Sequence, residues 1–205
     1  MKINDMPKLQ SPFVRSKETN WLVIDKITEG YEWVFEDDSV MAIEKLHGTN
    51  ISILIQGGAV TGVWNRCNRI TMFSKGNEHI MEGLTNSIPQ ISKLSDGQHF
   101  GEFIGPKLNS NPYNLDKHLW IPFETYGQKH LKYKCWGKYP KTFESISEWF
   151  KELMPLFMMK RGDKEGFVEG IVFTHPDGRM AKLRCDMFDW FKGHRHKENK
   201  TETEE

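Results

Sequence analysis

The sequence predicts an α+β fold, antiparallel sheets with flanking helices, on three observations. Two pairs of apolar-rich segments flank compact turn signals, the pattern of β-hairpins. One segment repeats large apolar residues at helical spacing. No internal repeat or low-complexity linker divides the chain, so a second domain is not expected.

Taken in order, residues 40–43 (Val-Met-Ala-Ile) read as a buried strand, broken at Leu46-His-Gly-Thr-Asn50. Residues 51–56 alternate Ile-Ser-Ile-Leu-Ile-Gln, and Gly57-Gly58 turns them into a partner strand over 59–64. Residues 77–94 form a mixed helical region interrupted near Pro89, and 99–104 and 119–126 are strand candidates. Ser145-Ile-Ser-Glu148 fits a capping box heading a helix whose core face is Ile146, Trp149, Phe150, Leu153 and Phe157. Pro155 should bend or end that helix. Residues 166–173 and 179–183 flank Pro176-Asp-Gly178 and read as a second hairpin. The domain is drawn over residues 1–190, with a charged, apolar-poor and disordered tail over 191–205.

At 205 residues the chain suits one domain. A composition of 38% hydrophobic and 27% charged residues describes a soluble globular protein. No apolar run approaches the ~18 residues needed to span a bilayer. The first 17 residues mix charge and proline and lack a signal peptide's apolar core. The expectation is a cytoplasmic protein, in the host cytoplasm if the gene is a phage's. Cys67, Cys135 and Cys185 lie far apart with no C-x-x-C pair, which favours reduced thiols over a zinc site or disulfides. A net charge of zero does not exclude nucleic acid, because local patches decide binding.

Chemistry concentrates in four segments: Glu44-Lys-Leu-His-Gly-Thr-Asn50, Gly101-Glu-Phe-Ile-Gly105, Glu169-Gly-Ile-Val-Phe173 and Ala181-Lys-Leu-Arg184. Singly, each has a bland explanation; a lysine just past a strand is usually a solvated charge. Together and in this order they resemble motifs I, III, IV and V of the covalent nucleotidyltransferases, which comprise DNA ligases, RNA ligases and mRNA capping enzymes. DNA ligases and capping enzymes carry K-x-D-G. The K-x-H-G-T-N of residues 45–50 is similar instead to phage-type RNA ligases that seal breaks in duplex RNA. Asn65-Arg-Cys-Asn-Arg69 stands about where these ligases carry motif Ia, with Arg66 and Arg69 competing for one role. Trp120-Ile-Pro-Phe-Glu124 stands where they carry motif IIIa.

The resemblance implies an ATP-dependent RNA ligase with the nucleotide in a cleft between sheets. Related enzymes usually add a C-terminal domain, and with only about twenty residues after the last motif the expectation here is an adenylyltransferase domain with no separate OB or C-terminal domain. The resemblance makes Lys45 the residue that takes AMP from ATP. Attack needs a free amine, whereas an ordinary lysine titrates near ~10.4, so cationic neighbours and a metal are expected. Lys182 supplies one such charge and pairs with the α-phosphate. Glu169 and Glu102 hold Mg²⁺ or Mn²⁺, Glu102 having ribose binding as an alternative role. Gly48 lets the backbone approach the nucleotide, Phe123 stacks on adenine and Glu44 meets its edge. Arg66 and Arg184 are further nucleotide contacts, Arg184 replacing the second lysine of many RNA ligases. His47 and Asn50 serve the later steps, in which AMP passes to a 5′-phosphate and a 3′-hydroxyl displaces it.

The implied partners are RNA ends with 3′-hydroxyl and 5′-phosphate in a nicked duplex, and a separate protein to supply substrate grip; no membrane is involved. Lys182 and Arg184, two apart on one strand, share a face, which is expected to stand opposite Lys45. Lys129, Lys132, Lys134, Lys138 and Lys141, interleaved with Tyr133, Trp136 and Tyr139, form either an RNA surface or a solvated loop with its aromatics turned inward. His194 and His196 lack partners at metal-site spacing. The rival readings are a DNA ligase or guanylyltransferase, against which His47 counts, and a nucleotide- or RNA-binding module that has lost catalysis. Joint retention of Lys45, Glu169 and Lys182 counts against the second.

Overall fold

A computed structural model describes residues 2–71, 75–138 and 140–193. His194, His196, Tyr139 and most of the tail therefore lie outside the described residues. Ten strands are assigned: β1 (Phe13–Ser16), β2 (Leu22–Ile27), β3 (Met41–Lys45), β4 (Thr49–Gln56), β5 (Ala59–Asn65), β6 (Asn68–Arg69), β7 (Gly97–Ile104), β8 (Leu119–Pro122), β9 (Gly170–Thr174) and β10 (Met180–Arg184). The helices are α1 (Trp33–Glu36), α2 (Glu78–Asn86), α3 (Ile88–Ile91), α4 (Gln128–His130), α5 (Phe143–Lys151) and α6 (Leu156–Lys160). Among the described residues no helix is long and apolar enough to cross a membrane.

Every pairing is antiparallel. The strands form a β1-β2 ribbon, a three-stranded sheet ordered β10-β9-β3 and a five-stranded sheet ordered β6-β5-β4-β7-β8. Alternation along the strands gives each large sheet two faces. Ala42, Ile171, Phe173, Ala181 and Leu183 send one face of the smaller sheet into a core with α1, α5 and the ribbon. Ile51, Ile53, Phe103 and Trp120 pack the outer face of the larger sheet against Ile80 and Leu84 of α2. A third cluster, including Ile43, Ile104, Ile121, Leu131 and Phe157, fills the base of the space between the sheets.

The two glycines at the β4–β5 turn have φ of 59° and 74°, as a two-residue hairpin demands, and Asp96 accepts both of their amides. Three expected elements differ in extent. The strand from 119 stops at Pro122, because proline has no N–H to continue the ladder, and Phe123–Gly127 winds into a π-helical turn. Helix α5 begins at Phe143 rather than at Ser145. Thr142, in an extended conformation, is its cap and its hydroxyl accepts the Ser145 amide at 3.3 Å. That helix ends at Lys151, and Phe157 belongs to the separate α6, which starts just after Pro155.

The third difference lies in β9, which begins at Gly170, so residues 166–169 enter the sheet as irregular chain. Gly170 has φ +153°, and a Cβ there would lie 2.2 Å from the Leu183 carbonyl oxygen on β10. Neither the angle nor the space suits another residue. Gly170→Ala should therefore destabilise the fold by about 2 kcal/mol or more, the scale of an overpacked core. Urea unfolding checks this; an unchanged midpoint would mean that β9 and β10 part there at little cost.

Candidate active site

Lys45 is the last residue of β3, and the register opposite it on β9 is Gly170. Glu169, one residue earlier, reaches the lysine: Nζ donates to Oε2 at 2.8 Å. The His47 Nδ1 lies 3.2 Å from the same oxygen, and the His47 ring stands 5.4 Å from that of Phe167. Backbone groups after the lysine are fixed by side chains from elsewhere. The His47 amide donates to the Tyr113 hydroxyl at 2.7 Å and the Gly48 amide to Glu102 Oε1 at 2.9 Å. Asn109 Nδ2 donates to the Gly48 carbonyl at 2.9 Å. A Cβ on Gly48 would stand 2.3 Å from the Phe103 carbonyl oxygen, so glycine is required here by the crossing over β7. That is a different cause from the expected approach of a nucleotide.

A cavity of about 480 Å³ opens between the two sheets. Lys45, Val172 and Lys182 line it from the smaller sheet; Asn50, Phe100 and Glu102 line it from the larger. Phe123, Glu44 and Arg66 complete the group of expected residues at its wall. Glu169 and His47 stand behind Lys45, bonded as described, rather than on the lining.

Lys182 is not opposite Lys45. The rows Ile43–Val172–Lys182 and Lys45–Gly170–Arg184 run straight across β3, β9 and β10, so both lysines belong to one face of one sheet. The facing wall comes instead from β4, β7 and the segment after β8. Arg184 does not line the cavity, and its Nε donates to the buried Asp186 at 2.8 Å. Between the two motif Ia candidates the geometry distinguishes clearly. Arg66 reaches the cavity, whereas the Arg69 guanidinium lies over Trp64 at 5.8 Å.

The basic stretch from Lys129 to Lys141 resolves into two parts. Its described aromatics face inward: the Tyr133 hydroxyl donates to the Met154 carbonyl, and Trp136 stacks on Trp149 with ring centroids 5.5 Å apart. Lys141 lies over the Trp136 ring and 3.6 Å from Asp38. Lys129, Lys132, Lys134 and Lys138 remain exposed, so the stretch offers charge without a stacking platform from those rings. Cys67, Cys135 and Cys185 are free thiols.

The sequence profile described as RNA ligase matches residues 38–193, most of the chain and all four motif segments. The chain belongs to the RNA ligase family. Among solved structures it is similar to the Naegleria gruberi RNA ligase with pyrophosphate, at 15% identity and a TM-score of 0.51, over 90% of this chain and 58% of that one. A single-site variant of that ligase with ATP and Mn is similar at 15% identity and a TM-score of 0.50, over 76% of this chain and 52% of that one. At such identities the likeness is one of fold, and the chain spans a little over half the length of these proteins. None of the curated proteins matches it.

Within this family member three buried carboxyl groups sit close to the lysine with different electrostatic fates. Burial pushes Glu44 up to about 8, although its Oε2 accepts the Phe157 amide at 2.8 Å. Its other oxygen, Oε1, is buried without a partner. Glu102 is pushed up to about 7, by burial first and by the Glu169 charge as well, with Lys45 opposing both. Burial would also raise Glu169, but the charge of Lys45 and the bond from His47 outweigh it and hold the group at about 2. Reading the motifs missed one part of the wall: Asp5, Met6, Pro7, Lys8 and Leu9 also line the cavity. They precede the family-matched stretch and carry no pattern beyond mixed charge and a proline.

The sign for Glu44 follows from linkage. Its folded pKa of about 8 lies above the ordinary 4.5, so the native state binds the proton more tightly. That stability is complete below the ordinary value and is lost as pH rises through 8. Glu44→Gln keeps an acceptor for Phe157 and removes the titration. Between pH 5 and 8.5 the variant should lose about 4 kcal/mol less stability than the parent in urea titrations. Parallel losses would show that Glu44 ionises without cost.

Proposed function

We propose that this chain is an ATP-dependent RNA ligase that takes AMP onto Lys45, passes it to an RNA 5′-phosphate and seals that end to a 3′-hydroxyl. The observation that carries the reading is a lysine amine at the end of β3, held by a buried carboxylate at 2.8 Å and opening on a cavity that a second lysine shares. In the first step the Lys45 nitrogen forms a bond to the α-phosphorus while the bond to the bridging oxygen breaks, and pyrophosphate leaves with that electron pair. Lys182 is the cation for charge that builds on the α-phosphate. Attack requires an unprotonated amine, so the contact with Glu169 must give up its proton or part before reaction.

The other residues divide between base, phosphates and RNA ends. Glu44 Oε1, buried and without a partner at the cavity wall, suits the exocyclic amine of adenine. The preference for ATP over GTP requires Glu44 to be ionised when the base is bound, since the neutral acid could donate to the carbonyl of guanine. Phe123 offers a ring for stacking, and Arg66 a guanidinium at the mouth. Among the described residues no three His, Cys, Asp or Glu side chains form a metal cage. Glu102 and Glu169, close enough for one charge to raise the other, fit an ion such as Mg²⁺ or Mn²⁺ that uses one or two carboxylates and completes its shell from phosphates and water. Glu102 and Glu169 would hold such an ion, and it would supply positive charge to offset that of the phosphates. His47 and Asn50 are left for the later steps, in which AMP is transferred and then released. A nicked duplex is the expected substrate, gripped by the exposed Lys129, Lys132, Lys134 and Lys138 or by a separate protein.

Incubation with ATP and Mg²⁺ or Mn²⁺ should add one adenylyl group to the protein by intact mass, and GTP should add none. Lys45→Ala should abolish the adduct entirely. An adduct that survives the substitution removes Lys45 from the chemistry.

The RNA assignment has its own test. With pre-adenylated nicked duplexes, sealing should be at least about tenfold faster when the 3′-hydroxyl strand is RNA, a difference of about 1.4 kcal/mol in the barrier. Equal rates on an all-DNA nick would transfer the reading to a DNA ligase.

A further inference from the structure

Residues 2–10 form no helix or strand, yet they are tied to both large sheets. The Asn4 amide donates to Gln98 Oε1 at 2.9 Å and its carbonyl accepts from Gln98 Nε2 at 2.8 Å. Gln98 lies on β7 and is itself braced by a 3.0 Å bond to Ser52 on β4. Six residues later the Gln10 carbonyl accepts the Lys182 amide of β10 at 2.9 Å. Between these ties the Asp5 carboxylate stands 3.7 Å from the Arg66 guanidinium. The segment thus runs from the five-stranded sheet to the three-stranded one, along the cavity that separates them.

Its side chains sort in the same sense. Ile3, Met6 and Leu9 are half-buried, while Asn4, Asp5, Pro7, Lys8 and Gln10 are exposed. One inward residue in three matches an extended chain with three residues per turn. Residues 5–9 all line the cavity, and Met6 and Leu9 are the half-buried apolar members among them. An untethered terminus would have no reason to sort its side chains this way, since ordering backbone costs roughly 1–2 kcal/mol per residue.

We propose that residues 4–10 form a nucleotide-positioning strap: Met6 and Leu9 make an apolar wall against the adenosine part of ATP, and the ties at Gln98 and Lys182 hold that wall in place. The proposal rests on the reading that the cavity binds ATP. The strap touches the part of the nucleotide that does not react, so it strengthens ground state and transition state alike. Its loss should raise KM and leave the chemical rate alone.

Three proteins decide the matter: the parent, a deletion of residues 2–9, and Asn4→Pro, which removes the amide donor to Gln98 while keeping the carbonyl acceptor. For adenylylation, KM for ATP should rise about tenfold in the deletion and less in Asn4→Pro, with kcat within twofold; tenfold is about the effect of losing two small apolar contacts. Hydrogen exchange should show ATP slowing the amides of residues 4–10 in the parent. Unchanged or lower KM in both variants, or a fall in kcat alone, would overturn the strap. If the deletion does not fold, Asn4→Pro and the exchange data decide. Calorimetry with ATP on a Lys45→Ala background separates the two ideas. ATP that binds and is weakened by loss of the strap upholds the strap even if no AMP is ever attached, whereas a parent chain that binds no ATP overturns both.

Discussion

The point on which the site depends is the meeting of β3, β9 and β10 at Gly170. Lys45, Gly170 and Arg184 stand in one row, and only a residue without Cβ fits beneath the Leu183 carbonyl. The close approach lets Glu169, just before the strand, reach Lys45 across the seam, and the Glu169 carbonyl accept the Cys185 amide on the other side. Had the strand run straight through residue 169 in regular extended form, that side chain would have followed the strand's alternation. The irregular entry is therefore part of how the amine is gripped.

Once the seam is fixed, the three glutamates beside it become three different groups. Glu44 is deeply buried, and the backbone amides of Phe157 and Leu156 only partly offset that burial, which favours the neutral acid. Glu102 also has one backbone donor, from Gly48, but feels Lys45 and Glu169 in opposite senses. Glu169 has two side-chain partners in direct contact and stays ionised. Burial alone would have raised all of them, so partner geometry decides the outcome. The arrangement leaves Glu44 neutral and places the ionised carboxylate beside the Lys45 amine.

How much of this was legible in the sequence differs by feature. Hairpins were legible because glycine turns and alternation are local properties; the first appears at the expected residues, and the second keeps its turn while its incoming strand starts later, at Gly170. The four motif segments were legible as a set, and the fold does bring Lys45, Glu102, Glu169 and Lys182 around one cavity or its rim. Element ends were less so: Pro122 stops β8 through a missing amide, and Thr142 out-competes Ser145 as a cap because the helix starts early enough to include Phe143. Which face met which was not legible at all. Lys45 and Lys182 are in one sheet because β3 pairs with β9, a contact separated by more than a hundred residues that no local pattern encodes. The same holds for Tyr133 and Trp136, whose inward packing depends on α5 and β9.

The choice between Arg66 and Arg69 shows the same limit on a smaller scale and how topology removes it. Both arginines flank the β5–β6 turn, three residues apart. Arg66 adopts φ +53° at the turn itself, which throws its side chain off the ladder and toward Asp5 at the cavity mouth. Arg69 is inside β6, paired with Trp64, and its guanidinium covers that ring. A left-handed residue outside glycine is uncommon, and where it occurs the surrounding contacts must hold it. The ion pair is loose and largely exposed, worth little by itself. The turn geometry is therefore what presents Arg66 to the cavity.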